Sequence, residues 1–277
     1  MKKKKHKILV LIDLKDSTSA TIKSTISLSK MIDGDIELFY VKNASDVVKR
    51  DNQLSAIRTI NSEYRAANKK IQNLIKSISD NYHETINYRL AIGNVKNEID
   101  SYIKEHQPDI IVLGKRKSIP LNFIGDNITD FILKNHNGVI MIVANENALE
   151  PNKKLSLGIL NGIEQPPNIL FADDLMKHIQ EPLKSFKIID NSSSPKQVNT
   201  ATNKQIVEYV FENGDDSINT LSNYLSKKNI NLLCIDRNKK NVNNNQENTS
   251  KLDIKDVISK LNVSLLISGK QNSYLHQ

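Results

Sequence analysis

The segments EIDSYIKEHQPDIIVLG (98–114) and TLSNYLSKKNINLLCID (220–236) align without a gap. Ile99 falls on Leu221, Tyr102 on Tyr224, Ile103 on Leu225, and Ile110 to Leu113 on Leu232 to Ile235. Each segment reads as an amphipathic helix followed by a short, wholly apolar strand. A continuous apolar run of this length marks a strand buried on both faces of a parallel sheet. The match continues downstream: Asp130-Phe131-Ile132 aligns with Asp256-Val257-Ile258, and VIMIV at Val139 to Val143 aligns with Ser264 to Ser268. A repeat at domain-sized period is a duplicated domain, not a solenoid.

Upstream of the first segment, strands and helices alternate. Ile8 to Ile12 is an apolar run bounded by charge, and reads as a strand. Asp16, Ser17 and Thr18 supply helix caps, and a helix runs to about Asp33 with Ile22, Ile26 and Ile32 on one face. IELFYV, Ile36 to Val41, is the second strand. Then Ile57, Ile60, Tyr64, Ala67, Ile71, Leu74 and Ile78 recur at alternating steps of three and four, one apolar stripe on a long helix. Such a stripe lies on a sheet or faces a coiled-coil partner. Thr85 to Ile92 is the third strand, and Gly93 turns it into the helix of the first repeat segment. After Gly114 come a loop, a short helix to about Asn135, and the VIMIV strand. The β-α alternation predicts an open parallel sheet with helices on both faces.

Glu146 to Lys154, polar and containing Pro151, reads as a linker between domains at 1–147 and 153–277. The pattern then restarts: strand Leu155 to Leu160, helix about Asn168 to Ile179, strand Phe186 to Ile189, a Ser/Asn-rich loop, and strand Ile206 to Phe211. Lys239 to Ser250 is Asn-rich and low in apolar residues.

The chain has 277 residues, 38% hydrophobic and 25% charged, ordinary values for a globular protein of two domains. One cysteine, Cys234, rules out an internal disulfide framework and points to a reducing compartment. The basic start MKKKK precedes an apolar run stopped at Asp13, too short for a secretory signal. No stretch approaches a membrane span of about 20 apolar residues. The expectation is a cytoplasmic protein that does not engage membrane. Net charge is +8, with Lys2 to Lys5 in one run. Aromatic content is 5% and Trp is absent, so base-stacking platforms are scarce and nucleic acid is not expected as a partner.

A first strand ending in Asp13, a second ending at Val41, Gly93 before a helix, and PDIIVLG followed by loop, helix and VIMIV together resemble the universal stress protein family. The resemblance covers nearly all of residues 5–145 and is weaker over 153–268. It implies an α/β fold of two tandem open parallel-sheet sandwiches, Rossmann-like and of the adenine-nucleotide-binding type, the second smaller and degenerate. It further implies a non-enzymatic stress-response regulator whose two domains pair internally. A homodimer and an unidentified protein partner are compatible with it. Members that bind ATP carry G-x2-G-x9-G-[ST] after the fourth strand. Glycines there let backbone N–H groups approach phosphate, and the last pair opens a helix whose N-terminus favours anions. In GKRKSIPLNFIGDN, Gly114 matches the first glycine and Gly125 the last. Lys117 stands at the second glycine position, the spacer is about two residues short, and Asp126 replaces the Ser/Thr. Lys115, Arg116 and Lys117 add positive charge, whereas Asp126 as an N-cap repels phosphate. By the same resemblance Asp13 lies beside an adenine and Val41 on the adjacent strand end. Otherwise Asp13 is a turn or capping carboxylate and Val41 is core. In the second domain Asp236 replaces Gly114, the following loop has no glycine, and Asn161 stands where Asp13 does.

The candidate site is therefore Asp13, Val41, Gly114, Lys117, Gly125 and Asp126, with ATP or another adenine nucleotide as the ligand and no metal. The alternative is an interaction scaffold that has lost nucleotide binding. No G-x-S-x-G elbow or P-loop lysine motif is present, and the third strand lacks the acceptor Asp of a receiver domain. The six histidines show no metal-ligand spacing and read as surface or turn residues. Cys234, inside an apolar strand, reads as an inert thiol.

Overall fold

The computed structural model describes residues 5–15, 17–47, 53–115, 128–161, 169, 171–179, 182–189, 206–214, 216–237 and 252–269. The first half runs β1 (His6–Ile12), α1 (Thr18–Ile32), β2 (Gly34–Asn43), α2 (Ala44–Val47), α3 (Gln53–Tyr82), β3 (Ile86–Gly93), α4 (Val95–His106), β4 (Ile110–Gly114), α5 (Ile128–Asn135) and β5 (Val139–Val143). The second runs β6 (Leu157–Leu160), α6 (Ala172–Lys177), β7 (Leu183–Ile189), β8 (Ile206–Glu212), α7 (Ser217–Lys227), β9 (Leu232–Ile235), α8 (Ile254–Lys260) and β10 (Ser264–Ile267).

Among the described residues ten strands form one sheet in the order β3-β2-β1-β4-β5-β10-β9-β6-β7-β8. Read outward from the middle, both halves have the same order, with the first strand of each between its second and fourth. Neighbours within each half are parallel. At the seam, β5 and β10 run antiparallel, with Ile140 opposite Ile267, Met141 opposite Leu266 and Ile142 opposite Leu265. Two open parallel sheets thus join edge to edge, as two related α/β units do when one end strand of each faces the other.

Local sequence explains the element ends. Asn94 caps α4 by accepting from Asn97 N at 3.2 Å, and Asp253 caps α8 by accepting from Lys255 N at 2.9 Å. Helix α1 ends at Asp33 in the left-handed region, φ 55°. Gly34 follows because a Cβ there meets Ile8 Cδ1 at 2.5 Å. Helix α6 has only six residues, shorter than its apolar pattern suggests.

The strands are apolar on both faces because each face is covered. On one side Ile8, Val10 and Ile12 of β1 pack with Ile22 and Ile26 of α1 and Ile71 and Ile78 of α3. On the other Leu9, Ile111 and Ile140 pack with Ile99, Tyr102 and Ile132, and this cluster continues through Leu221, Leu225 and Val257 of the second half. The inter-half segment is more than a polar linker. Leu149 is 0% exposed and belongs to the core, and Ser24 Oγ donates to its carbonyl at 2.6 Å. Small hydroxyl side chains on α1 let this segment lie close against the helix.

The long helix divides in two. Ala67, Ile71 and Ile78 are buried against the sheet, whereas Leu54, Ile57 and Tyr64 are 73%, 55% and 45% exposed. Thirty residues of helix span about 45 Å and the eight residues of β3 about 27 Å, so α3 outruns the sheet it covers. Sheet packing is therefore the role of its C-terminal part alone.

Candidate functional site

Parallel α/β sheets hold ligands beyond the carboxyl ends of their strands, where neighbouring connections leave in opposite directions. In the first half that point lies between β1 and β4. The ladder sets three of the candidate residues side by side there. Ile12 pairs with Tyr40, which brings Asp13 beside Val41, and Leu11 pairs with Leu113, which brings Gly114 to the end of the neighbouring strand. Strand β2 continues to Asn43 past its last β1 partner, forming a ledge beside Asp13. Lys117, Gly125 and Asp126, with Arg116 and Pro120, lie outside the described residues.

The local contacts of these residues are structural as well. Asp13 Oδ1 accepts from Lys15 N at 3.1 Å and from Thr18 Oγ1 at 3.4 Å. This is an Asx turn, and it holds Leu14 in the left-handed region at φ 56°. A leucine in that region is uncommon and strained. Gly114 is required by α1: a Cβ there meets Thr21 Oγ1 at 2.5 Å and Ser17 Oγ at 3.3 Å. Val41 packs against the apolar cluster on the α4 side.

Lys115 is not held ready for a phosphate. Its Nζ donates to Ser259 O at 2.9 Å and to Leu261 O at 2.8 Å, the carbonyls at the end of α8. Burial lowers its pKa from the ordinary lysine value. Arg237 is its counterpart in the repeat, and Arg237 Nη1 donates to His136 O at 2.7 Å, just past the end of α5. Each cation follows the fourth strand of its half and meets a helix C-terminus of the other half, where the dipole is negative. The ion pair of Lys255 with Asp130 ties α8 to α5 across the same seam. The aligned position of Lys115 and Arg237 in the repeat carried this signal, which sequence reading passed over.

The second-half site differs. Asn161, following β6, accepts from Ile188 N at 2.9 Å through Oδ1. It thereby bridges to β7 instead of folding back toward a helix as Asp13 does. His136, expected at the surface or in a turn, lies in the connection from α5 to β5 and is 5% exposed. Burial first, then the Arg237 charge, push its pKa down to about 4. Cys234 is 1% exposed, and burial pushes its thiol up to about 12, so it carries no thiolate at neutral pH. Among the described residues no group of three or more His, Cys, Asp or Glu is placed to hold a metal. Among them, too, no helix is long and apolar enough to cross a membrane.

Fold and strand-end geometry define a Rossmann-like α/β protein with its candidate site at the β1/β4 switch point. The profile of the universal stress protein family matches residues 5–143, and the chain belongs to that family. No curated protein matches the sequence. Among solved structures, it is similar over 96% of its length to 97% of a universal stress protein from Archaeoglobus fulgidus DSM 4304, at 11% identity and TM-score 0.65. A protein of unknown function from Pseudomonas aeruginosa PAO1 aligns over 95% of this chain and 92% of its own, at 10% identity and TM-score 0.56. Universal stress protein UspA from Lactobacillus plantarum is 17% identical, with TM-score 0.42, over 50% of this chain and 96% of its own. At these identities the structures speak to the fold alone.

Proposed function

We propose that this chain is a non-enzymatic stress-response regulator that holds an adenine nucleotide at the carboxyl ends of β1, β2 and β4. Family membership supports the stress-response role. The observation that carries the nucleotide reading is the alignment of Asp13 between Val41 and Gly114 at the switch point, with the β2 ledge beside it. In this reading the ledge and Asp13 receive the base, and the segment after Lys115 receives the phosphates. The two units at 1–147 and 153–277 act as an internal pair, a reading supported by the repeated strand order and the β5–β10 ladder.

A second reading is a nucleotide-free interaction protein. The observations that favour it are the structural engagement of Asp13, Gly114 and Lys115, and the exposed N-terminal face of α3. One experiment separates the two. Freshly purified protein is denatured, released small molecules are identified by mass spectrometry, and ATP binding is measured by calorimetry for the wild type and Asp13→Arg. The nucleotide reading expects bound or binding adenine nucleotide that Asp13→Arg abolishes. No released nucleotide, together with equal or absent ATP binding in both proteins, leaves the interaction reading.

A further inference from the structure

The sheet has two edges, β3 and β8, and they are finished differently. Strand β3 lies under α3: Tyr88 Oη donates to Asn68 Oδ1 at 3.0 Å and accepts from Gln72 Nε2 at 3.0 Å. Strand β8, IVEYVFE, contains no Lys and no Pro, the residues that ordinarily stop an edge from pairing. On it Val207 and Val210 are 38% and 48% exposed. Among the described residues only β7 pairs with β8.

The ladder shows which backbone groups face outward. Asn213 N donates to Ile189 O at 2.8 Å, which extends the β7–β8 pairing by one residue. Alternate residues of a strand in a parallel ladder face the same neighbour. The odd-numbered residues of β8 therefore turn N–H and C=O toward β7, and Ile206, Glu208, Val210 and Glu212 turn theirs to the open edge. A row of this kind is a template for an added strand.

The sequence of β8 is complementary to itself in one register. A two-fold axis perpendicular to the sheet brings the same strand alongside, antiparallel, with residues of equal parity opposite each other. Centred on Glu208, the pairing sets that carboxylate against its own copy. Centred on Val210, it sets Glu208 against Glu212. Centred on Tyr209, it pairs all seven residues and opposes no like charges. Glu208 then faces Val210, Ile206 faces Glu212, Val207 faces Phe211, and Tyr209 meets its own copy. Like charges directly opposite are destabilising, whereas aromatic and β-branched pairs are favourable. The charge of Glu208 is already met within the chain by Lys187 at 2.6 Å.

We propose that β8 pairs antiparallel with β8 of a second copy of this chain, centred on Tyr209, so that the two sheets continue into one. The surface lies at the opposite end of the second half from the β5–β10 seam, and it stands whether or not the β1/β4 crevice takes a nucleotide.

The test is sedimentation of the full-length protein over a dilution series, for the wild type, Val210→Glu and Val210→Lys. The wild type is expected to be a reversible dimer. Val210→Glu sets a carboxylate opposite Glu208 of the second copy, twice in the symmetric pair, and should weaken the dimer about tenfold or more. Val210→Lys sets an ammonium there and should retain most of the affinity. The side chain is exposed, so both variants should keep the wild-type circular dichroism spectrum. A wild type that is monomeric throughout overturns the proposal and leaves the edge to another occupant, such as residues 190–205 of the same chain. A dimer that neither variant changes forms through another surface, the exposed part of α3 included, and overturns it too. Equal weakening by the two variants overturns the register centred on Tyr209.

Discussion

Lys115 and Arg237 occupy equivalent positions in the two halves, and each reaches over the seam to a helix C-terminus of the other. Lys115 Nζ meets Ser259 O and Leu261 O, and Arg237 Nη1 meets His136 O. The strand ladder fixes the two sheets edge to edge, and these cations fix the helices that flank it. Lys115→Ala leaves two carbonyls at the end of α8 without their charged donor. The expected cost is about 1–3 kcal/mol. Lys115→Arg keeps the charge and should recover part of it. Urea midpoints at constant m-value measure both.

Gly114 separates a structural need from a functional one. The ATP motif asks for glycine at this position so that backbone can approach phosphate. The structure asks for it because Thr21 Oγ1 occupies the space of a Cβ. Gly114→Ala should therefore cost about 1–3 kcal/mol with no nucleotide present, as overpacking does. Adding Thr21→Ala should recover much of the loss, so the pair shows a favourable coupling in a double-mutant cycle. Additive effects of the two changes, read from thermal or urea unfolding, exclude the contact as the reason for the glycine.

Much of this architecture was legible because the strands are buried on both faces. Runs such as Ile110 to Leu113 and Val139 to Val143 leave no other reading once helices alternate with them, and the strand order recurs in the second half. What escaped the sequence were features set by contacts between the halves. The segment around Leu149 looked polar, yet one leucine among charged neighbours fills a core position. The charge of Lys115 suggested a phosphate ligand, because nothing local announces that α8 ends beside it. His136 has no periodic pattern to mark it as buried. At the candidate site, the strand ends set Asp13, Val41 and Gly114 side by side. Spacing alone gave no means to weigh their structural contacts against a ligand.

The apolar stripe of α3 has one period but two environments, and substitutions should report both. Ile71 is 0% exposed and packs on the sheet, so Ile71→Ala should cost about 2–5 kcal/mol through lost burial and the cavity left behind. Ile57 is 55% exposed, so Ile57→Ser should change stability by about 0.5 kcal/mol or less. Equal effects at the two positions in urea unfolding contradict the division of the helix.

His136 makes the stability of the protein depend on pH in a definite direction. Its folded pKa is lowered to about 4 from the ordinary histidine value of 6.5, because burial and then the Arg237 charge disfavour the imidazolium. Asp109, also facing it, acts the other way, as a smaller contribution. Between those two values the unfolded chain binds more protons than the folded one, so stability rises with pH. The contribution is fully present above about pH 6.5 and is lost as pH falls toward 4. His136→Gln removes the titration while keeping a polar side chain in the connection from α5 to β5. Its stability should therefore fall less steeply than that of the wild type between pH 6.5 and 4, whatever its absolute value. Parallel pH profiles for the two proteins, from urea midpoints across that window, place the acid sensitivity in other groups.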